Sequence, residues 1–397
     1  MARSYWQTVS LVTLWQVAAS ICYYSVFAAT PFFKDAFALS RFTVGIVVTT
    51  LTLGYALFLL PLGAATDRFG ERRTLTLGLA GLATSVLLVA GAPTYAVLLL
   101  AVFLLGSLYG TAMPGTNKAL FDNIDRGRQN MAMGIKQVGV TGGSGISALL
   151  VTGLAGVLFW QVGFLVAAGF GLFVTLVFFA FYPADSGGNG TLPNFGALLS
   201  NGSYLALVSA GFFLGGSLFT TTGYTVLYVE ESVGSTVAFG GVVLALVQLS
   251  GSVGRLVTGW LSDVLPGEPR IRIAGVLIVQ ASVAAPLFVL VSTVTSRLGV
   301  AVAFAALGFF VLGYTGVYYS CLATLVDTTE MGGATAGGQL ALTSGGLFVP
   351  PAFGYLADTI GYRGSWWLLA GLCLVAAGLL VFVVRIAPPV SEPAMRD

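Results

Sequence analysis

Twelve stretches of this chain are each long and apolar enough to cross a bilayer, and few folds are open to such a chain. They fall at roughly 10–33, 43–66, 74–93, 95–120, 131–156, 160–182, 202–228, 237–261, 273–294, 298–325, 335–357 and 365–386. A helix crossing the hydrocarbon core needs about 20 apolar residues. Inside lipid every backbone N–H and C=O must be paired within the protein, which leaves helices or a closed barrel. Barrel strands would be about ten residues long and alternating. These runs are longer and uniformly apolar, so the expected fold is an all-α polytopic membrane protein. Composition agrees: 57% of residues are hydrophobic and 8% charged, against about 25% charged in a soluble domain. That excludes a soluble enzyme, a disordered chain and a nucleic-acid binder with a basic face. Histidine is absent, which removes imidazole metal sites, Ser-His and Cys-His dyads and histidine relays. Cys22, Cys321 and Cys373 lie inside apolar runs without paired spacing, so neither a disulfide framework nor a zinc site is indicated. No cofactor or metal is expected.

Met1 to Thr8 form a short polar lead into the first run. That run is too long for a signal peptide and lacks a small-residue cleavage site, so a retained first helix is expected. Loop charge sets orientation. With the N-terminus inside, thirteen Lys and Arg fall on the inner side and four (Lys34, Arg41, Arg297, Arg363) on the outer side. The expectation is a multi-pass plasma-membrane protein with both termini cytoplasmic.

The long polar connection runs from Pro183 to Asn201. It predicts an N-terminal six-helix unit over 1–184, a cytoplasmic linker over 185–201 and a C-terminal six-helix unit over 202–397. Asn189 and Asn201 begin glycosylation-like triplets but read as loop residues on this topology. The halves repeat. Gly63-x-x-x-Asp67 closes the second run, Gly259-x-x-x-Asp263 the eighth and Gly354-x-x-x-Asp358 the eleventh. The eleventh run crosses in the opposite direction from the eighth, the trace of a three-helix unit repeated in inverted orientation.

The string Gly63-x-x-x-Asp67-Arg68-x-Gly70-x-Arg72-Arg73, its partial copy after the eighth run, the twelve spans and the central loop together resemble the major facilitator superfamily. The resemblance covers nearly the whole chain. It implies two pseudo-symmetric six-helix bundles, monomeric, that rock about a substrate site near the bilayer midplane.

The motif reads physically as an inner gate. Gly63 allows close helix approach, and Gly259 is its counterpart in the copy that closes the eighth run. Asp67 can pair with arginines or accept backbone hydrogen bonds at a neighbouring helix end, holding an outward-open state that breaks on rocking. Alternatively Arg68, Arg72 and Arg73 serve only as topology determinants. Around Asp263 the copy departs from the pattern, with Val264, Leu265 and Pro266 in place of the first arginine and its neighbours, so its latch is expected to be weaker.

Ionisable residues inside a span cost about 2.5–3.5 kcal/mol and are functional candidates. Arg255 lies six residues before the end of the eighth run, roughly 9 Å along its axis. Gln248 and Ser252 share its face. A guanidinium fork suits a carboxylate or similar oxyanion; the rival reading pairs Arg255 with Asp263 or the inner gate. Lys136, followed by Gln137, sits five residues into the fifth run, with Thr141 and Ser144 continuing the Gln137 face. Lys136 meets the anion or snorkels to headgroups, and Lys118 is expected to snorkel. By resemblance, Arg255-x-x-x-Gly259 is similar to the spacing in monocarboxylate, oxalate and nitrate porters, where an arginine meets the anion. No acid lies in the middle of any run, so a carboxylate proton relay is not expected.

Tyr24 in the first run, Tyr224 in the seventh and Tyr314 in the tenth are candidate cavity residues, as is Gln339, with Thr343 four residues on. Tyrosine offers an apolar wall with one hydroxyl; packing or an interfacial belt is the alternative. The function read from these features is alternating-access transport of a small organic anion, a carboxylate, by exchange or facilitated transport. The rivals are an exporter of apolar compounds, an inorganic-anion porter of nitrate type, and a membrane-embedded enzyme or sensor.

Overall fold

The computed structural model describes residues 5–125, 128–183, 198–327 and 330–386. Twelve helices are long and apolar enough to span: α1 (Tyr5–Ala28), α2 (Arg41–Phe69), α3 (Glu71–Ala90), α4 (Tyr95–Phe121), α5 (Met131–Ala155), α6 (Trp160–Phe181), α7 (Gly202–Glu231), α8 (Val237–Val264), α9 (Pro269–Val291), α10 (Arg297–Ala323), α11 (Met331–Thr359) and α12 (Tyr362–Arg385). No strand occurs among the described residues. An even number of spans puts Tyr5 and Arg385 on one face, here the terminal face; the opposite one is the far face. Most of the expected linker lies outside the described residues, which resume at Leu198.

Local chemistry starts the helices in matching ways in the two halves. Ser40 and Thr236 accept the N–H groups of Thr43 and Phe239 at the starts of α2 and α8. Thr94 and Ser296 do the same for Val97 and Gly299 at the starts of α4 and α10. Each such cap satisfies a donor that the helix itself leaves unpaired. The turns from α2 to α3 and from α11 to α12 share a glycine of positive φ. Gly70 and Gly361 stand three residues after Asp67 and Asp358, with φ of 84° and 83°. A side chain is disfavoured there, and glycine is not. After α8 the positive φ falls one residue later, at Gly267, as the departing copy of the motif would suggest.

Pairing within each half repeats too: α1 with α5, α2 with α4, α3 with α6, and then α7 with α11, α8 with α10, α9 with α12. Backbones nearly touch in the second pair of each set. A Cβ on Gly106 would lie 2.0 Å from the Leu51 carbonyl oxygen, and one on Gly254 would lie 2.3 Å from that of Phe309. The expectation that Gly63 marks close approach is corrected here. A Cβ on Gly63 would sit at an ordinary 3.6 Å from Pro114, and one on its counterpart Gly259 would meet nothing within 4 Å.

The halves meet along α2 with α11 and α5 with α8. Pro350 and Pro351 lie inside α11. Neither has an N–H, so the carbonyls of Gly346 and Leu347 lose their intrahelical donors. Thr52 and Thr49 of α2 supply replacements, donating to Gly346 O at 3.0 Å and Leu347 O at 2.7 Å. The seam between the halves is thus built on carbonyls that α11 cannot satisfy itself. Helices α4 and α10 each break midway, at Gly110–Thr111 and Leu312–Gly313. Pro114 denies Gly110 its donor in the first. In the second, backbone contact with Gly254 accompanies the break.

Candidate functional site

Between the halves lies a cavity of about 490 Å³, walled by α1, α2, α4, α5, α7, α8, α10 and α11. It reaches the terminal ends of α4, α5 and α11 at Phe121, Met133 and Met331. Toward the far face it is closed by Phe27 stacked with Phe219, ring centroids 6.4 Å apart, and by Thr30 donating to Gly223 O at 2.9 Å.

Arg255 projects into this cavity from α8. Its Nε donates to Leu312 O at 3.1 Å, a carbonyl at the break in α10. No carboxylate lies within 4.0 Å of it among the described residues. Asp263, its rival partner, is exposed on the terminal face. A charged fork with one edge anchored and the other facing a cavity is suited to a bidentate oxyanion.

Lys136 lines the same cavity and is 3% exposed. It does not snorkel to the surface. Its Nζ donates to Asn117 Oδ1 at 2.8 Å, a neutral partner from α4. Sequence reasoning missed Asn117; an amide inside an apolar run was the available signal. Lys118 pairs with Asp122 one turn on. Gln137 lines the cavity at its open side, and Gln248 lines it at 2% exposure. Tyr24 and Tyr314 line it from opposite halves. Gln339 accepts from Tyr319 and donates to Thr343 Oγ1 at 3.1 Å. Gln16 and Tyr55, also missed, complete the wall of the first half. There Tyr109 stacks on Tyr23 at 4.0 Å, and its hydroxyl lies 3.4 Å from Ser20 Oγ.

Tyr224 is a correction. It is fully buried away from the cavity, and its hydroxyl donates to Arg41 O at 2.6 Å and Pro350 O at 3.1 Å. A buried phenol takes the nearest acceptors, and here these carbonyls belong to a closure of the far face. Glu231 at the end of α7 is its centre. It accepts from Lys34 Nζ at 2.9 Å, Arg41 Nε at 2.7 Å and the Tyr362 hydroxyl at 2.6 Å. Asp358 accepts the N–H groups of Arg41 and Phe42 at 3.1 and 2.9 Å, capping α2 from the other half. Arg41 also lies 3.6 Å from Asp358 and stacks over Tyr362 at 4.9 Å.

Among the described residues, Asp67, Arg68, Arg73 and Asp263 make no ion pair across the halves in this conformation. All four are exposed. Arg72 donates to Phe179 O at 2.6 Å and lies over its ring, tying α3 to α6 within one half. The same aspartate–glycine turn therefore closes one face and stands open at the other.

The comparisons agree with this architecture. Monocarboxylate transporter 13 of Bos taurus is 26% identical over 344 residues, 83% of this chain and 78% of that protein. The Rattus norvegicus protein of the same name is 27% identical over 264 residues, 64% of this chain and 59% of its own length. A bacterial homologue of the human lysosomal transporter Spinster, solved in an inward-facing and occupied conformation, superimposes with a TM-score of 0.81 at 16% identity, covering 97% of both chains; at that identity the likeness is one of fold. Residues 12–325 match the sequence profile of the Major Facilitator Superfamily. Twelve spans, a pattern of helix pairing that recurs six helices later and a cavity among them accompany that match: the chain belongs to the Major Facilitator Superfamily and is a multi-pass membrane transporter.

Proposed function

We propose that this transporter moves a small organic anion, with a carboxylate received by Arg255, through alternating exposure of the cavity to the two sides of the membrane. One observation carries the reading: a guanidinium faces a cavity with no carboxylate partner among the described residues. An uncompensated charge at that depth is expensive, and a bound anion is its simplest complement. Lys136 adds a second cation, held by a neutral amide. The tyrosine wall suits an organic body. The name of the mammalian relatives supports a monocarboxylate rather than an inorganic anion. With no acid in the middle of a span, exchange or facilitated transport is favoured over a carboxylate proton relay.

The terminal face is taken as cytoplasmic on loop charge, in the plasma membrane, and the working unit as one chain. The conformation is then inward-open, and Asp67, Arg68 and Asp263 are latch residues waiting for the other state. The test is equilibrium binding of a carboxylate panel to purified wild type, Arg255→Gln and Asp263→Asn. Affinity is expected to fall at least tenfold in the first variant and to persist in the second. Unchanged affinity in Arg255→Gln removes the anionic reading. The aromatic lining also fits export of apolar compounds, a reading that tight binding of neutral ligands unaffected by Arg255→Gln would favour.

A further inference from the structure

Three buried polar groups in the cavity wall have no partner among the described residues. The hydroxyl of Tyr23, 1% exposed, is packed among the rings of Tyr24, Tyr55 and Tyr109 in the first half; the amide nitrogen of Gln248 and the hydroxyl of Tyr314, on residues 2% and 1% exposed, belong to the second half with Arg255. Other amides in the wall do find partners, as Gln16 does with Ser20 and Gln339 with Thr343. A buried N–H left unpaired is costly, so this donor is placed for something that arrives. Gln248 stands seven residues before Arg255, two helical turns, on the same face of α8. The backbone separation is about 10.5 Å. Helical side chains lean toward the N-terminus, so the arginine reaches toward Gln248 and the gap between the polar heads is shorter than that. A ring or a chain of about four to six carbons spans it. Tyr24 and Tyr109 of the first half and Phe219 of α7 line the same cavity, and they present ring surface and no charge.

We infer that the transported acid is elongated. Its carboxylate lies on Arg255, a flat apolar body lies against the tyrosines, and a hydrogen-bond acceptor at its other end meets Gln248 and Tyr314. Gln248 is the residue that selects for this distal acceptor. The inference rests on the anionic reading above and deepens it. A two- or three-carbon acid fills only the arginine end and leaves the amide unpaired.

The test uses two probes of one shape: 4-acetylbenzoate, which carries a distal carbonyl, and 4-isopropylbenzoate, which does not. Dissociation constants are measured by calorimetry on the purified full chain. Wild type is expected to bind 4-acetylbenzoate about tenfold more tightly, the size of one buried hydrogen bond. Gln248→Met keeps the side-chain volume and is expected to erase the preference by weakening 4-acetylbenzoate alone, with 4-isopropylbenzoate within about twofold of wild type. Gln248→Glu, which presents only acceptors, is expected to reverse the preference; it serves as a second probe if the methionine variant folds poorly. No preference in wild type, a preference that survives both variants, or no binding of either probe overturns the inference. Loss of both probes in Arg255→Gln, with the Gln248 variants neutral, leaves the anion site standing and sinks this step alone. Unchanged binding of both probes in Arg255→Gln sinks the two together.

Discussion

The antiparallel pair α2 and α11 carries an acid–glycine turn at each end of its contact, and the two ends are in different states. At the far face Asp358 caps the start of α2, and Arg41 is held by Glu231, Asp358 and Tyr362. At the terminal face Asp67 is exposed, and among the described residues it makes no ion pair across the halves. Both turns pass through a glycine of positive φ, 84° and 83°, three residues after the aspartate. What differs is whether a helix start from the other half lies within reach. A symmetric element thus supports an asymmetric state. Only one end can be engaged at a time if the halves rock as rigid bodies, so the contrast between the ends defines the conformation.

The contrast is broken most strongly at Glu231. Glu231→Gln leaves Lys34 and Arg41 without their shared carboxylate. Removing one member of a partly buried charge network costs about 2–3 kcal/mol here, below the fully buried range, so the open far-face population is expected to rise by roughly thirtyfold or more. Spin labels at positions 36 and 232, one in each half, report it as a longer inter-label distance. The three native cysteines are buried, so labelling there is selective. An unchanged distance distribution would show that this network does not hold the closure.

Arg41→Lys keeps the charge but loses the fork and much of the stacking on Tyr362. A smaller shift of about 1–2 kcal/mol is expected in the same distance measurement. A shift equal to that of Glu231→Gln would mean that geometry, not charge, closes the far face. Asp358→Asn retains an acceptor for the α2 cap while losing its charge, and about 1 kcal/mol is expected. The weakest effect belongs to Asp67→Asn. In this conformation it should change thermal stability by no more than about 0.5 kcal/mol, while making the far-open state rarer still. A clear rise in far-face opening would contradict the role assigned to the terminal-face turn.

Much of the architecture was legible because the bilayer leaves so few choices. Apolar runs of this length must be helices, and recurring glycine–acid strings fixed the repeat. Arg255, Gln248 and Lys136 were legible as cavity residues because a polar group in a span is conspicuous. Tyr224 misled for the opposite reason. Its ring is compatible with any apolar setting, and only the carbonyls of Arg41 and Pro350 decide where its hydroxyl points. Glu231 was hidden because an acid at a span end reads as loop, and its partners Lys34 and Arg41 come from the other half. Gly63 misled through its motif, since in this conformation it meets Pro114 only at ordinary contact distance. Pairings made across the halves depend on conformation, which a linear pattern does not carry.

The two prolines of α11 have a hydration consequence. When Thr49 and Thr52 withdraw, the carbonyls of Leu347 and Gly346 cannot return to their own helix, because Pro351 and Pro350 have no hydrogen to give. Bare carbonyls in lipid or vacuum are untenable, so water must follow the parting helices as deep as Thr52. Opening the far side is therefore a wetting event and closing it a drying one. Solutes too large to enter the crevice should favour the closed state in proportion to the water expelled, which makes osmotic stress a measure of how much of the seam has come apart.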